Sequence, residues 1–282
     1  MSRKFWATLL IPIVILTTSI YGSSSADWSD LPAYLDGGIA VYGDSRTGHS
    51  THEGIMEGIA SITPVAVFHT GDLVGNGNDS EDWRTFNRIA SKLPPGTAFY
   101  PALGNHEKES ALYFNNFTLP GNERWYSVEI SGVHFTVLDT GTDLSPGSTQ
   151  YQWLENDLSS VGSGINFIAV LFHYPPYSTG RHGEDPKRLR SKIVPLFEQY
   201  GVDVVFNGHD HSYERLLING VIYIVTGGGG APLRSQARSS STSLVFEKVH
   251  HFCVIYFTGN GNLTVDVWDW TANLIDHFEI AP

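Results

Sequence analysis

Residues 202–206, Val-Asp-Val-Val-Phe, form a short apolar run bounded by glycines, and it runs directly into Asn207-Gly208-His209-Asp210-His211. A β-branched run of this length with glycine at its edges reads as a buried strand. A buried strand ending in Gly-His-X-His delivers two imidazoles to one rim of a sheet. The same pattern recurs four more times. GIAVYGD ends at Asp44, PVAVFHTGD at Asp72, TAFYPALGNH at Asn105 and His106, and NFIAVLFH at His173. In open α/β sheets, ligands bind beyond the carboxyl ends of the strands. Convergence of five such ends would gather Asp44, Asp72, Asn105, His106, His173, His209 and His211. Singly, each motif is weak, because Gly-Asp after a strand is usually a turn and a lone histidine is usually structural. Five in this order, each after an apolar run, are specific. Carboxylate, amide oxygen and imidazole suit Fe, Mn or Zn rather than thiolate-bound metals. A pair of such ions would leave a positive field suited to a phosphate group.

Between these runs lie amphipathic stretches that predict helices over 52–62, 81–93 and 149–158, the last capped by Ser148, and over 186–200 behind a proline. Ser131-Gly132 predicts a hairpin turn. The chain alternates strand and helix through its first two-thirds, then becomes strand-rich in VIYIVT, HFCVIYF and LTVDVWDW. That pattern predicts an α/β core with more than one sheet.

Formal net charge is −12 over 282 residues, which argues against a nucleic-acid binder. The single cysteine, Cys253, rules out an intrachain disulfide framework and lies in an apolar run that suggests an inert thiol. Residues 1–26 combine Arg3 and Lys4, an apolar stretch and Ser24-Ser25-Ala26, as a secretory signal peptide does. The competing reading is an uncleaved N-terminal anchor. Cleavage near Ala26 predicts a secreted or extracytoplasmic protein with no stable membrane partner.

The ordered set Asp44, Gly71-Asp72, Gly104-Asn105-His106-Glu107, His173 and Gly208-His209-Asp210-His211 resembles the calcineurin-like metallophosphoesterase superfamily. HYPPYSTGRHG and GHDHSYER resemble its purple-acid-phosphatase-like branch, and the resemblance spans roughly residues 38–230. It implies an α/β fold of two mixed β-sheets packed as a sandwich and flanked by helices, as a single domain over 38–282. It implies a dinuclear centre in which Asp72 bridges both ions. Asp44 and His211 hold the first, Asn105, His173 and His209 hold the second, and His106 stands near the leaving group. The sequence departs from the branch at two positions. Arg46 stands where relatives carry His or Gly, and Gly75 stands where purple acid phosphatases carry a tyrosine ligand.

Other residues carry two readings each. Arg46 is a fork for a substrate phosphate or half of a structural ion pair. His182 is a donor to phosphate or leaving group, by resemblance, or a solvated loop histidine. His49 and His52 are helix-surface residues or a replacement ligand, and His69 reads as a core histidine. Asp210 reads as support for its flanking histidines, and Glu214 with Arg215 as a structural pair. The expectation that follows is a secreted phosphoesterase hydrolysing small phosphate monoesters, with a metal-bound hydroxide attacking phosphorus. The alternatives are a phosphodiesterase or nucleotide hydrolase on the same site, or a non-catalytic phosphate-binding protein.

Overall fold

A computed structural model describes residues 26–182 and 185–282. The expected leader, 1–26, lies outside the described residues apart from Ala26. Strand β1 (Ile39–Tyr42), helix α1 (His49–Ser61), β2 (Ala66–His69), α2 (Ser80–Ala90) and β3 (Ala98–Pro101) form a parallel βαβαβ unit. Next come α3 (Ala111–Asn116), β4 (Tyr126–Ile130), β5 (Val133–Val137), α4 (Thr149–Ser159), β6 (Phe167–Phe172), α5 (Leu189–Lys192), α6 (Val194–Tyr200) and β7 (Val204–Asn207). Six strands complete the chain: β8 (Tyr213–Ile218), β9 (Val221–Thr226), β10 (Ser243–Glu247), β11 (His251–Phe257), β12 (Leu263–Asp269) and β13 (Leu274–Ile280).

Two mixed sheets result, ordered β13-β12-β11-β1-β2-β3 and β10-β8-β9-β7-β6-β5-β4. Side chains alternate along a strand, so each central strand feeds two layers. Ile39, Val41 and Phe68 face inward and meet Phe135, Leu171 and Phe206 of the other sheet in one core. Ala40, Tyr42 and Val67 face outward beneath Ile55 and Ile59 of α1. Val170, Phe172 and Val205 face outward beneath Leu154 of α4 and Phe197 of α6. Phe68 and Phe135 clamp the two sheets together, with ring centroids 4.3 Å apart at 24°. Truncating either to alanine would cost about 3–5 kcal/mol. This is the expected sandwich flanked by helices.

Local chemistry explains most boundaries. The Ser148 side chain accepts from the Tyr151 amide at the start of α4, as read from sequence. Ser131 and Gly132 both take positive φ, 51° and 80°, in the turn between β4 and β5. The helix expected over 186–200 is instead two short helices. Pro195 cannot donate a backbone hydrogen bond, so α5 ends at Lys192 and α6 starts afresh beyond Ile193. Gly201, at φ 71°, closes α6. Among the described residues no helix is long and apolar enough to cross a membrane. Cys253 is buried, and burial pushes its thiol up to about 12, in keeping with an inert side chain.

Candidate metal centre

The carboxyl ends of β1, β2 and β3 in one sheet, and of β6 and β7 in the other, open on the same edge of the sandwich. The loops leaving them turn sharply. Asp44, Asp72 and His209 adopt positive φ of 55°, 59° and 69°, a region that non-glycine residues occupy only when the surroundings enforce it. Close interlocking of the loops also needs glycine. A Cβ on Gly208 would collide with the Asp44 carboxylate, and one on Gly104 with the backbone of Asp72.

All seven strand-end residues come together. His173 Nε2 lies 3.0 Å from Asn105 Oδ1, 3.3 Å from His209 Nδ1 and 3.5 Å from Asp72 Oδ1. Its other nitrogen, Nδ1, donates to the Thr70 carbonyl at 3.0 Å, so Nε2 is the bare nitrogen of the neutral ring. His211 repeats the arrangement, with Nδ1 donating to the Pro232 carbonyl at 2.8 Å and bare Nε2 3.4 Å from Asp44 Oδ1. A histidine tied through one N–H to a carbonyl and offering its other nitrogen is the usual state of a metal ligand. One atom from each of Asp44, Asp72 and His173 lies within 4.8 Å of the others. Asp44 Oδ1 is buried and accepts no hydrogen bond, while Oδ2 accepts from the His209 amide at 2.8 Å.

Acceptor atoms therefore crowd a small buried space, and one of them, Asp44 Oδ1, has no donor. Burial of such acceptors without donors is costly unless a cation fills the space between them. Electrostatics agree. Burial opposes ionisation of Asp72, but His173, His106, the His106 amide and Arg46 outweigh it and hold its pKa below the ordinary 3.8. Burial, then His173 and His182, push His209 down to about 2, so its imidazole is neutral. Burial opposes protonation of His173, yet Asp72, Asp44 and Glu107 raise its pKa above 6.5. A field that draws a proton to that nitrogen also draws a metal cation. The donors Asp72, Asn105, His173 and His209, with Asp44 beside them, fit one Fe, Mn or Zn ion.

Beside this cluster, His106 donates Nδ1–H to the Gly75 carbonyl at 2.7 Å and directs Nε2 to within 3.8 Å of Asp72 Oδ2. His182 sits on the rim with its ring 4.3 Å from that of His209, its amide donating to Asp210 Oδ1 at 2.9 Å. Asp210 points away from the cluster and also accepts from Ser178 at 2.7 Å, so it fixes the 178–182 loop. Arg46 lies among the ligands themselves. Its Nε is 3.3 Å from Asp72 Oδ2 and a terminal nitrogen is 3.4 Å from His211 Nε2.

The remaining candidates fall elsewhere. His52 is buried and bonds the Tyr42 hydroxyl through Nε2, while His49 is exposed at the start of α1. His69 is a core histidine, bonded to Ser45 Oγ and accepting from the Gly71 amide. Glu214 and Arg215 do not pair with each other. Neighbours on a strand face opposite sides, so Glu214 accepts from Thr179 and Ser243 while Arg215 clasps Asp276 at 2.6 and 3.0 Å.

Glu107 is the residue whose role the sequence concealed. Fully buried, it accepts from the amides of Gly104, Asp72, Leu73 and Val74 at 2.7–3.4 Å. It thereby staples the Asn105 loop to the Asp72 loop. Burial, then Asp72, raise its pKa to about 7 against the pull of those amides. Its place in Gly-Asn-His-Glu was the only signal available.

Comparison with known proteins agrees with this geometry. The family described as calcineurin-like phosphoesterase matches residues 38–213. Purple acid phosphatase 18 of Arabidopsis thaliana is 34% identical over 184 residues, covering 57% of this chain and 42% of that protein. Probable purple acid phosphatase 20 of the same plant is 30% identical over 226 residues, covering 68% and 51%. The chain thus spans about half the length of the curated relatives it matches. The purple acid phosphatase PPD1 of yellow lupin (Lupinus luteus) has the same fold, with a TM-score of 0.77 at 22% identity, covering 86% of this chain and 53% of that one. On its strand order, its ordered ligand motifs and these matches, the chain belongs to the calcineurin-like phosphoesterase family, in its purple-acid-phosphatase-like branch.

Proposed function

We propose that this protein is a secreted, metal-dependent hydrolase of small phosphate monoesters. The observation that carries the reading is the meeting of His173 Nε2, His209 Nδ1, Asn105 Oδ1 and Asp72 Oδ1 within 3.5 Å of the first of them, beside the buried Asp44 Oδ1 that accepts no hydrogen bond. A bound ion there would supply the positive charge that polarises a phosphoryl group and lowers the pKa of a water. The chain's own residues do the rest. The Gly75 carbonyl orients His106, so that Nε2, when protonated, can donate to the leaving oxygen. His182, anchored through Asp210, stands at the opposite rim to hold a phosphate oxygen. Arg46 adds a fixed positive charge beside the phosphate position. The phosphatase names of the relatives favour monoesters over diesters, and the leader-like residues 1–26 support secretion.

The test is a panel of aryl and alkyl monoesters, a diester and nucleotides, run on protein of measured metal content. Monoester turnover that vanishes with a chelator and returns with metal is expected. Preferential diester cleavage, or no turnover by metal-loaded protein, would reject the reading. His106→Ala should slow alkyl esters about 100-fold and aryl esters with good leaving groups much less. Equal slowing across leaving groups would remove His106 from the proton-donating role.

A further inference from the structure

The residues assigned to the first ion by resemblance, Asp44, Asp72 and His211, do not form a free site. His211 donates Nδ1–H to the Pro232 carbonyl, which leaves Nε2 with a single lone pair. That lone pair faces a terminal nitrogen of Arg46 at 3.4 Å. A guanidinium stays protonated and donates only, so His211 Nε2 can serve Arg46 or a metal but not both. Asp72 Oδ2 is engaged in the same way by Arg46 Nε at 3.3 Å. An ion bound to both atoms at about 2.1 Å would lie against the guanidinium, cation on cation.

Arg46 is held there. Its side chain is 14% exposed, and its backbone amide donates to the Asp72 carbonyl at 3.3 Å. Positive φ at Asp44 and Thr47, 55° and 68°, bends this loop toward the cluster. The tyrosine position of the branch is Gly75, which has no side chain to offer, and a cavity of about 40 Å³ lies between Gly75, Arg46 and His49. The first ion is therefore short of one ligand and opposed by a resident charge. The other side is complete. Asp72 Oδ1, Asn105, His173 and His209 converge on it, and Asp44, whose Oδ1 accepts no hydrogen bond, offers a carboxylate oxygen within 4.8 Å of both the Asp72 and His173 ligand atoms.

We propose that the centre holds one metal ion, ligated by Asp44, Asp72, Asn105, His173 and His209, and that the Arg46 guanidinium is its permanent second cation, with His211 as the acceptor for Arg46 rather than a ligand. The proposal rests on the reading of the site as a metal centre. It gives the departure at Arg46 a purpose, because a fixed guanidinium beside one ion offers the phosphate two adjacent positive charges without a second metal.

Metal stoichiometry tests it directly. Full-length protein is saturated with Mn(II), desalted, and measured by plasma mass spectrometry and by electron paramagnetic resonance. The wild type should retain one ion per chain and show an isolated Mn(II) signal. Arg46→Gly should retain two, with the spectrum of a coupled pair. Arg46→Gln, similar in size and uncharged, repeats the test without opening a hole and should also retain two. Arg46→Lys, which keeps a positive charge, should stay at one. Two ions in the wild type, or one in both neutral variants, would overturn the proposal. No ion in folded wild-type protein would overturn the metal-centre reading as well, and is distinguishable from either result.

Discussion

Two carboxylates with little side-chain exposure, Asp157 at 8% and Asp44 at 0%, have opposite surroundings. Asp157 of α4 is enclosed by donors. It accepts from Ser127 Oγ at 2.5 Å, Thr136 Oγ1 at 2.7 Å and His134 Nε2 at 3.0 Å, which fastens the helix to β4 and β5. Asp44 is enclosed largely by acceptors. Its Oδ1 has no donor, and the nearby imidazole nitrogen of His211 is bare. A carboxylate that serves the fold is surrounded by hydrogens, whereas one that serves a cation is surrounded by lone pairs. Burial alone does not distinguish them, since both aspartates are close to solvent-free.

The sharpest way to break this contrast is at Asp72, where both oxygens face the cluster. Asp72→Ala should lose the metal and lower turnover about 1000-fold or more. The fold should survive, because the Glu107 staple binds the Asp72 amide rather than its side chain. A fully metallated, active variant would end the assignment. Next in size is Asp157→Ala, which leaves three donors without an acceptor. It should cost about 2–3 kcal/mol in denaturant unfolding while leaving kcat unchanged at saturating metal. A loss of kcat without loss of stability would mean that the Asp157 network belongs to the site.

The five ligand-bearing strand ends were legible because each joins a local signal, an apolar run, to a chemical one, a ligand type placed directly after it. The interlock between the loops was not. Three of the four amides that point at Glu107 lie 33–35 positions away, and only the folded chain brings them to it. Sequence leaves Arg46 as a phosphate fork or a structural pair, because its position among the ligands depends on the bend at 44–47. The break at Ile193 and the hairpin at Asn219-Gly220, φ 52° and 88°, are encoded locally, in Pro195 and in Asn-Gly. Strands β8, β10 and β13 are half-exposed, with mixed composition, and their pairing is set by neighbours distant in sequence.

A smaller effect, of opposite sign, sharpens the comparison. In metal-free protein Asp44 Oδ1 is a buried acceptor facing another. Asp44→Asn keeps the side-chain shape and removes a buried negative charge whose Oδ1 has no donor. Metal-free Asp44→Asn should therefore unfold at higher denaturant than the metal-free wild type, by about 1 kcal/mol. On adding metal the order should invert, because only the aspartate binds the ion strongly. Destabilisation without metal would show that Asp44 is held for the fold.

The smallest effect is the pH dependence of the donor-rich cluster. Burial opposes protonation of His134, but Asp157 and then Glu129 outweigh it and raise its pKa above 6.5. Burial opposes ionisation of Asp157, but His134, Ser127 and Thr136 lower its pKa below 3.8. A raised histidine contributes stability that is complete below its unfolded value and is lost as pH climbs through its folded value. A lowered carboxylate contributes stability that is complete above its unfolded value and is lost as pH falls through its folded one. The two contributions are complete together between about pH 4 and pH 6.5. His134 retains some contact with solvent, so screening reduces its share to about 1 kcal/mol. The stability difference between wild type and His134→Gln, measured in metal-free protein, should peak near pH 5 and shrink above pH 7. A difference that grows with pH would mean that His134 is held neutral, and that Asp157 owes its low pKa to the two hydroxyls alone.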